Sequence, residues 1–168
     1  MRRPYKNLVF SVFDLQGMYV LALAFDMLPP PLRTGAAARL ATLVEARGGR
    51  LDTGFLSVPY LLDVLWDHGY RDLARRVLWQ SEMPSWLYEV DRGATTVRES
   101  WDAMAPDGTV RPVSLNHYAF GCVDDWLYRR VAGIRPTSPG YRTVTIDPDL
   151  SCGVEWVRAH VGTPYQGK

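Results

Sequence analysis

Residues 50–80 read RLDTGFLSVPYLLDVLWDHGYRDLARRVLWQ. Leu61, Leu62, Leu65 and Trp66 recur at helical spacing behind Ser57, which can cap, and Pro59, which suits a first helical turn. Gly69 closes that helix. Asp72 opens another, with Leu73, Val77 and Leu78 on its inner side. Two helices joined by so short a turn fold back on each other as an antiparallel pair. The stretch therefore decides for stacked helix pairs over a parallel α/β sheet.

The same unit recurs upstream. Leu15, Tyr19, Ala22 and Leu23 predict a helix from Val12 to Leu28, stopped by Pro29-Pro30-Pro31. An alanine-rich helix is expected from Thr34 to Ala46, with Leu40, Leu43 and Val44 on one face and Gly48-Gly49 at its end. Downstream, residues 83–108 hold no sustained period yet carry Trp86, Tyr88, Glu89, Asp91, Glu99, Trp101 and Asp102. A long loop full of aromatics and acids is either functional or ordered against something. Asn116 is then expected to cap a helix running to about Ala132, with Tyr118, Ala119, Val123, Trp126 and Leu127 as its apolar stripe and Gly133 as its end. After RPTSPG (135–140) the period changes. Tyr141–Asp147 and Val154–Val161 read as strands opening a β module.

Composition bounds the function. The chain has 168 residues, 47% of them hydrophobic and 22% charged, which is a globular composition of one ordinary domain's length. The net charge of +1 comes without a basic block, so nucleic acid and anionic membrane are excluded as partners. No run approaches the ~20 apolar residues of a membrane span, and no secretory signal is visible, so a cytoplasmic location is expected. Two cysteines, Cys122 and Cys152, are too few for a disulfide framework, and Cys122 falls in an apolar pattern that predicts a buried thiol. There is no glycine-rich phosphate loop, no nucleophile elbow and no metal-ligand spacing, so neither cofactor nor metal is expected.

The chemistry-bearing residues gather around GATTVRESWD (93–102). Glycine, two threonines, a carboxylate and an indole suit a polar, sugar-sized cleft. Pattern alone leaves the choice open. Glu99 and Asp102 fit a catalytic carboxylate with its neighbour, or two solvated loop acids. His117 fits a substrate donor or a satisfied core histidine. Trp86 and Trp101 fit sugar platforms or core. Asp124-Asp125 reads as a solvated helix face.

Several pieces are specific in combination: T-G-F at 53–55, P-Y-L-L at 59–62, P-S-W-L-Y at 84–88, G-A-T-T-x-x-E-x-W-D at 93–102 and N-H-Y-A-F-G at 116–121. Together they closely resemble the bacterial α-L-rhamnosidase family of inverting glycoside hydrolases, from roughly Phe13 to Trp156. The resemblance implies a mainly α chain: the C-terminal portion of an (α/α)6 catalytic barrel over residues 1–136, made of antiparallel helix pairs. A truncated start of a β-sandwich domain follows over 137–168. It implies removal of terminal α-L-rhamnose from glycosides, with Glu99 as the general base, His117 in contact with the rhamnose and Trp101 in the pocket.

Two departures matter. The family usually has tryptophan just before the base, where this chain has Arg98; a cation there would lower the basicity of Glu99 and reshape the pocket wall. Inverting hydrolysis also needs a second carboxyl as general acid, and nothing in Met1–Asp52 resembles the family's acid-rich motif. The expectation is a segment carrying only the general-base side, inactive alone and prone to self-association through exposed barrel faces. Were the acid inside the chain, Asp102, Glu89 and Asp52 would be the first candidates. The competing readings are a non-catalytic sugar-binding or assembly module and a gene remnant.

Overall fold

A computed structural model describes residues 14–163. They form two compact units that divide between Phe120 and Gly121.

The first unit is built from helix pairs. Helix α1 spans Gln16–Ala24, α2 Pro30–Ala46, α3 Val58–Asp67, α4 Arg71–Leu78 and α5 Trp86–Asp91. Each of the first four turns an apolar stripe inward: Val20 and Leu23, then Leu40 and Val44, then Leu61 and Leu65, then Ala74 and Val77, all almost fully removed from water. Helix α1 packs on α2 and α3, α3 on α4, and α2 reaches both α3 and α4. Gly17 marks the close approach of α1 to the start of α3, because a Cβ added there would lie 2.8 Å from Ser57 Oγ. Asp72 in the first turn of α4 and Arg75 and Arg76 in its last complement the helix dipole.

Polar ties complete this core. The carboxylate of Asp14 accepts from the Tyr19 hydroxyl at 2.9 Å and from Arg39 of α2. Gln16 is buried at 1% exposure. Its amide donates to Arg50 O at 3.3 Å and accepts from Asp52 N at 3.0 Å, fastening the segment that leads into Thr53-Gly54-Phe55.

The helix pair expected across 50–80 is present. The first helix is shorter than expected, and the expected start at Val12 and Phe13 lies outside the described residues. The prolines serve only the second helix. They do not end the first helix, which stops at Ala24 with Asp26 at φ +53°, but they begin α2 at Pro30, four residues ahead of the expected Thr34, because proline's fixed φ suits a first turn. Ser57 precedes α3 but its side chain makes no cap bond. Helix α5 lies inside the stretch that showed no period; Ser85 caps it by accepting from Tyr88 N at 3.1 Å.

The helix expected from Asn116 to Ala132 is broken into three geometries. A 3-10 turn covers Tyr118–Cys122, a short α6 covers Val123–Trp126, and a π-turn covers Leu127–Val131. Asn116 does not begin it, because the next amide, His117 N–H, donates to Val97 O at 2.7 Å.

In the second unit, α6 and the π-turn lead through Gly133 into β1 (Ile134–Pro136), which pairs antiparallel with β2 (Val144–Ile146). Gly133 has φ +69°, and a Cβ there would sit 2.0 Å from Asp147 O, so only glycine fits. Asp147 N donates to Gly133 O at 3.1 Å and Asp149 N to Val131 O at 3.1 Å. The strand expected at Tyr141–Asp147 is the shorter β2. The strand expected at Val154–Val161 is absent, since no described segment offers it a ladder partner. Cys152 is buried, whereas Cys122, expected to be buried, is only half-buried. Among the described residues no helix is long and apolar enough to cross a membrane.

Candidate functional site

The stretch 94–117 leaves α5 and returns alongside itself. Thr96 Oγ1 donates to Leu115 O, and His117 N donates to Val97 O at 2.7 Å. Glu99 N donates to Ser114 O at 3.0 Å. The Glu99 carboxylate in turn accepts from Ser114 N, through Oε2, at 2.8 Å. Glu99 and His117 are eighteen residues apart in sequence (117 − 99), yet they ride on the two sides of one short paired return. Glu99 is half-buried. One of its oxygens is engaged by a backbone N–H, which fixes the carboxylate's orientation and leaves Oε1 as its second acceptor.

His117 and Trp101 belong to one row of rings. The imidazole stacks on Phe55 with centroids 5.0 Å apart and planes 19° apart. Phe55 meets Phe120 at 4.8 Å, and Phe120 stacks on Trp101 at 3.9 Å. Trp101 then meets Trp86 edge-on at 5.9 Å, and Trp86 Nε1 donates to Phe120 O at 2.8 Å. Trp86 thus reaches the same cluster as Trp101. Phe55 and Phe120 join a histidine and a tryptophan that sequence spacing does not connect; the only signal for them was that each closes or sits within a motif, T-G-F and N-H-Y-A-F-G.

The remaining acids differ in character. Asp102 accepts from Ser100 Oγ at 2.5 Å and pairs with Arg111. The Ser100 hydroxyl and the Arg111 guanidinium hold its carboxyl below the ordinary value of 3.8, which suits a standing anion and not a proton donor. Asp52 pairs with Arg47 at 3.0 Å. Glu89 is buried, and burial pushes its carboxyl above the ordinary 4.5, opposed by the Arg98 amide and guanidinium.

Arg98 differs from expectation. It is 6% exposed and sits beside Glu89, whose Oε2 accepts from Arg98 N at 3.5 Å. Burial takes its side chain out of any solvent-facing pocket wall, and its charge acts on Glu89. Among the described residues no group of three or more His, Cys, Asp or Glu side chains gathers as a metal site. A surface cavity of about 330 Å³, lined by Asp72, Arg75, Arg76 and Trp79 on and after α4, shares no residue with the cluster around His117.

Comparison with known proteins gives consistent matches. The model of the bacterial alpha-L-rhamnosidase six-hairpin glycosidase domain matches residues 12–131, and that of the bacterial alpha-L-rhamnosidase C-terminal domain matches 133–167. An alpha-L-rhamnosidase of Streptomyces avermitilis is 49% identical over 138 residues, covering 80% of this chain and 13% of the relative. One from Alteromonas sp. (strain LOR) is 36% identical over 154 residues, covering 90% of this chain and 17% of the relative. The crystal structure of the Streptomyces avermitilis enzyme complexed with L-rhamnose superposes with a TM-score of 0.77 at 47% identity, over 81% of this chain and 14% of that one. The native alpha-L-rhamnosidase of Aspergillus terreus gives a TM-score of 0.76 at 36% identity, over 81% and 16% respectively. The chain thus spans between 13% and 17% of the length of these curated relatives.

Proposed function

The chain belongs to the bacterial α-L-rhamnosidases of the six-hairpin glycosidase type, and on that premise we propose that it carries the general-base side of a site that hydrolyses terminal α-L-rhamnosides with inversion. The observation that carries the reading is the paired return that brings Glu99 and His117 to one locus, with the Glu99 carboxylate oriented by Ser114 N–H.

The chemistry follows from inversion. A water attacks the anomeric carbon from the face opposite the leaving oxygen, while a carboxylate takes its proton and a carboxylic acid protonates the departing oxygen. Glu99 is assigned the first part: Oε2 is held by the backbone, and Oε1 accepts the proton from water. His117 donates to a hydroxyl of the rhamnose, and Trp101 lines the pocket. Asp102, anchored by Ser100 and Arg111, is a poor proton donor. Asp52 is engaged by Arg47 and Glu89 is buried beside Arg98, so the general acid is assigned outside these residues. The chain alone is expected to turn over no rhamnoside and to associate through apolar faces that the rest of a barrel would cover. The β module is taken to open near residue 137, after the barrel portion.

The test is Glu99→Gln in an active rhamnosidase polypeptide that contains this segment. The amide keeps the shape but cannot accept a proton, and general-base help is worth about 10²–10⁴-fold. Turnover of an aryl rhamnoside should fall by that order with KM little changed. A loss below about tenfold would remove Glu99 from the base's role.

A further inference from the structure

We propose that Phe55 is the positioning residue of the site: it fixes the His117 ring by stacking, so that the imidazole presents Nε2–H as a donor toward a sugar hydroxyl. This rests on the reading of His117 as a substrate contact and goes beyond it by assigning the donor atom and the residue that aims it.

An imidazole that serves a ligand with one nitrogen is ordinarily oriented by a hydrogen bond at the other. Here that bond is missing. His117 Nδ1 is buried and meets no hydrogen-bond partner among the described residues. The backbone fixes only the Cα, through His117 N to Val97 O. What holds the ring is a face: Phe55 lies 5.0 Å away and within 19° of parallel, nearer than the exposed Tyr118 ring at 6.4 Å, and Phe55 is braced in turn against the buried Phe120. Nδ1 is stranded in either tautomer, as a donor without an acceptor or as an acceptor without a donor; only the proton on Nε2 lets the neutral ring donate to a sugar hydroxyl from its other nitrogen. Hence the proton belongs on Nε2. Phe55 itself follows a segment tied to the helical core by the Gln16 amide at Arg50 and Asp52, so the ring that stacks on His117 is anchored from the core as well as by Phe120.

The experiment is ¹⁵N NMR of the imidazole in this chain, read in native protein, Phe55→Leu and Phe55→Tyr. The native His117 should show the Nε2–H tautomer and ring protons displaced by the Phe55 ring current. Phe55→Leu should abolish that displacement and mix the tautomers, and Phe55→Tyr should restore both. A native Nδ1–H tautomer, or a Phe55→Leu spectrum with His117 unchanged, overturns the inference. If Phe55→Leu loses dispersion throughout, the native tautomer and Phe55→Tyr still decide. In an active rhamnosidase containing the segment, Phe55→Leu should raise KM by on the order of tenfold, the size of one lost charge-free donor bond, with kcat within about threefold. An unchanged KM also counts against it. The opposite signature, a fall in kcat, belongs to Glu99→Gln, so failure of the base assignment and failure of this one separate cleanly.

Discussion

Replacing Gln16 by methionine tests how the helical core reaches the site. The two side chains are close in volume, so the buried space at 1% exposure stays filled and no cavity term enters. What is lost is a pair of hydrogen bonds, to Arg50 O at 3.3 Å and from Asp52 N at 3.0 Å. Leaving a buried backbone group unpartnered costs about 1–3 kcal/mol. Both groups here are only partly buried, so the lower end applies to each, about 2 kcal/mol together. That is a sizeable share of a domain's typical stability of about 5–15 kcal/mol. Denaturant unfolding should show the loss as a lower midpoint at unchanged slope. Gln16→Glu keeps the acceptor for Asp52 N but buries a charge against Arg50 O. It should be worse at neutral pH and recover as pH falls through that carboxyl's raised folded pKa, because the protonated form regains a donor. A loss below about 0.5 kcal/mol for Gln16→Met would refute the claim that this amide anchors residues 50–52.

Three further outcomes are expected. Gly133→Ala places a Cβ in the left-handed region, at about 1–2 kcal/mol, and also against Asp147 O at 2.0 Å; hydrogen exchange at the Asp147 amide should quicken, and an unaltered rate would show that the β1–β2 seam does not depend on this approach. Two acids should give opposite pH slopes. Asp102, depressed below 3.8 by Ser100 and Arg111, contributes stability above that value that is lost as pH falls through its lower folded pKa. Glu89, raised above 4.5 by burial, favours the folded state only as pH falls through its higher folded pKa. Glu89→Gln should therefore melt no lower than the native chain at pH 7, and lose any advantage below pH 4.5; a lower melting temperature at neutral pH would reverse the sign assigned to its burial. Burial pushes the Cys122 thiol up to about 11, so alkylation by iodoacetamide at pH 8 should be slow until the chain is unfolded, and prompt modification of the folded chain would contradict it.

The helix pair at 58–78 was legible because four apolar residues repeat at 3.6 and a glycine separates the two halves. Helix α5 was not, since six residues are too few to display a period; its one local sign was Ser85. The segment after Asn116 misled for a different reason. Of its expected apolar stripe only Trp126 is buried, Tyr118 stands 89% exposed, and Phe120, outside the stripe, is buried instead, because a long-range bond from His117 N to Val97 O sets where the coil begins, and no local rule registers that. Strand β1 was hidden by its length of three residues, one of them proline. The family resemblance singled out Glu99, His117 and Trp101 from motifs, whereas Phe55 and Phe120 join them only through tertiary ring contacts. Arg98 looked like a neighbour of Glu99 because it is adjacent in the chain, but its buried side chain acts on Glu89 instead.

The π-turn at Leu127–Val131 closes with Ala132 N donating to Leu127 O at 2.9 Å, five residues back. Such a turn holds one residue more than the α-helical turn it replaces. Its consequence is one of phase. Because the surplus residue is taken up within one turn, the chain leaves the coil in the direction a regular turn would give it and meets the tight spot at Gly133 in the same place. Deleting one residue from 127–131 would let the coil relax to regular α geometry with Gly133 still facing Asp147. Relatives one residue shorter across this turn should therefore keep the glycine directly after it.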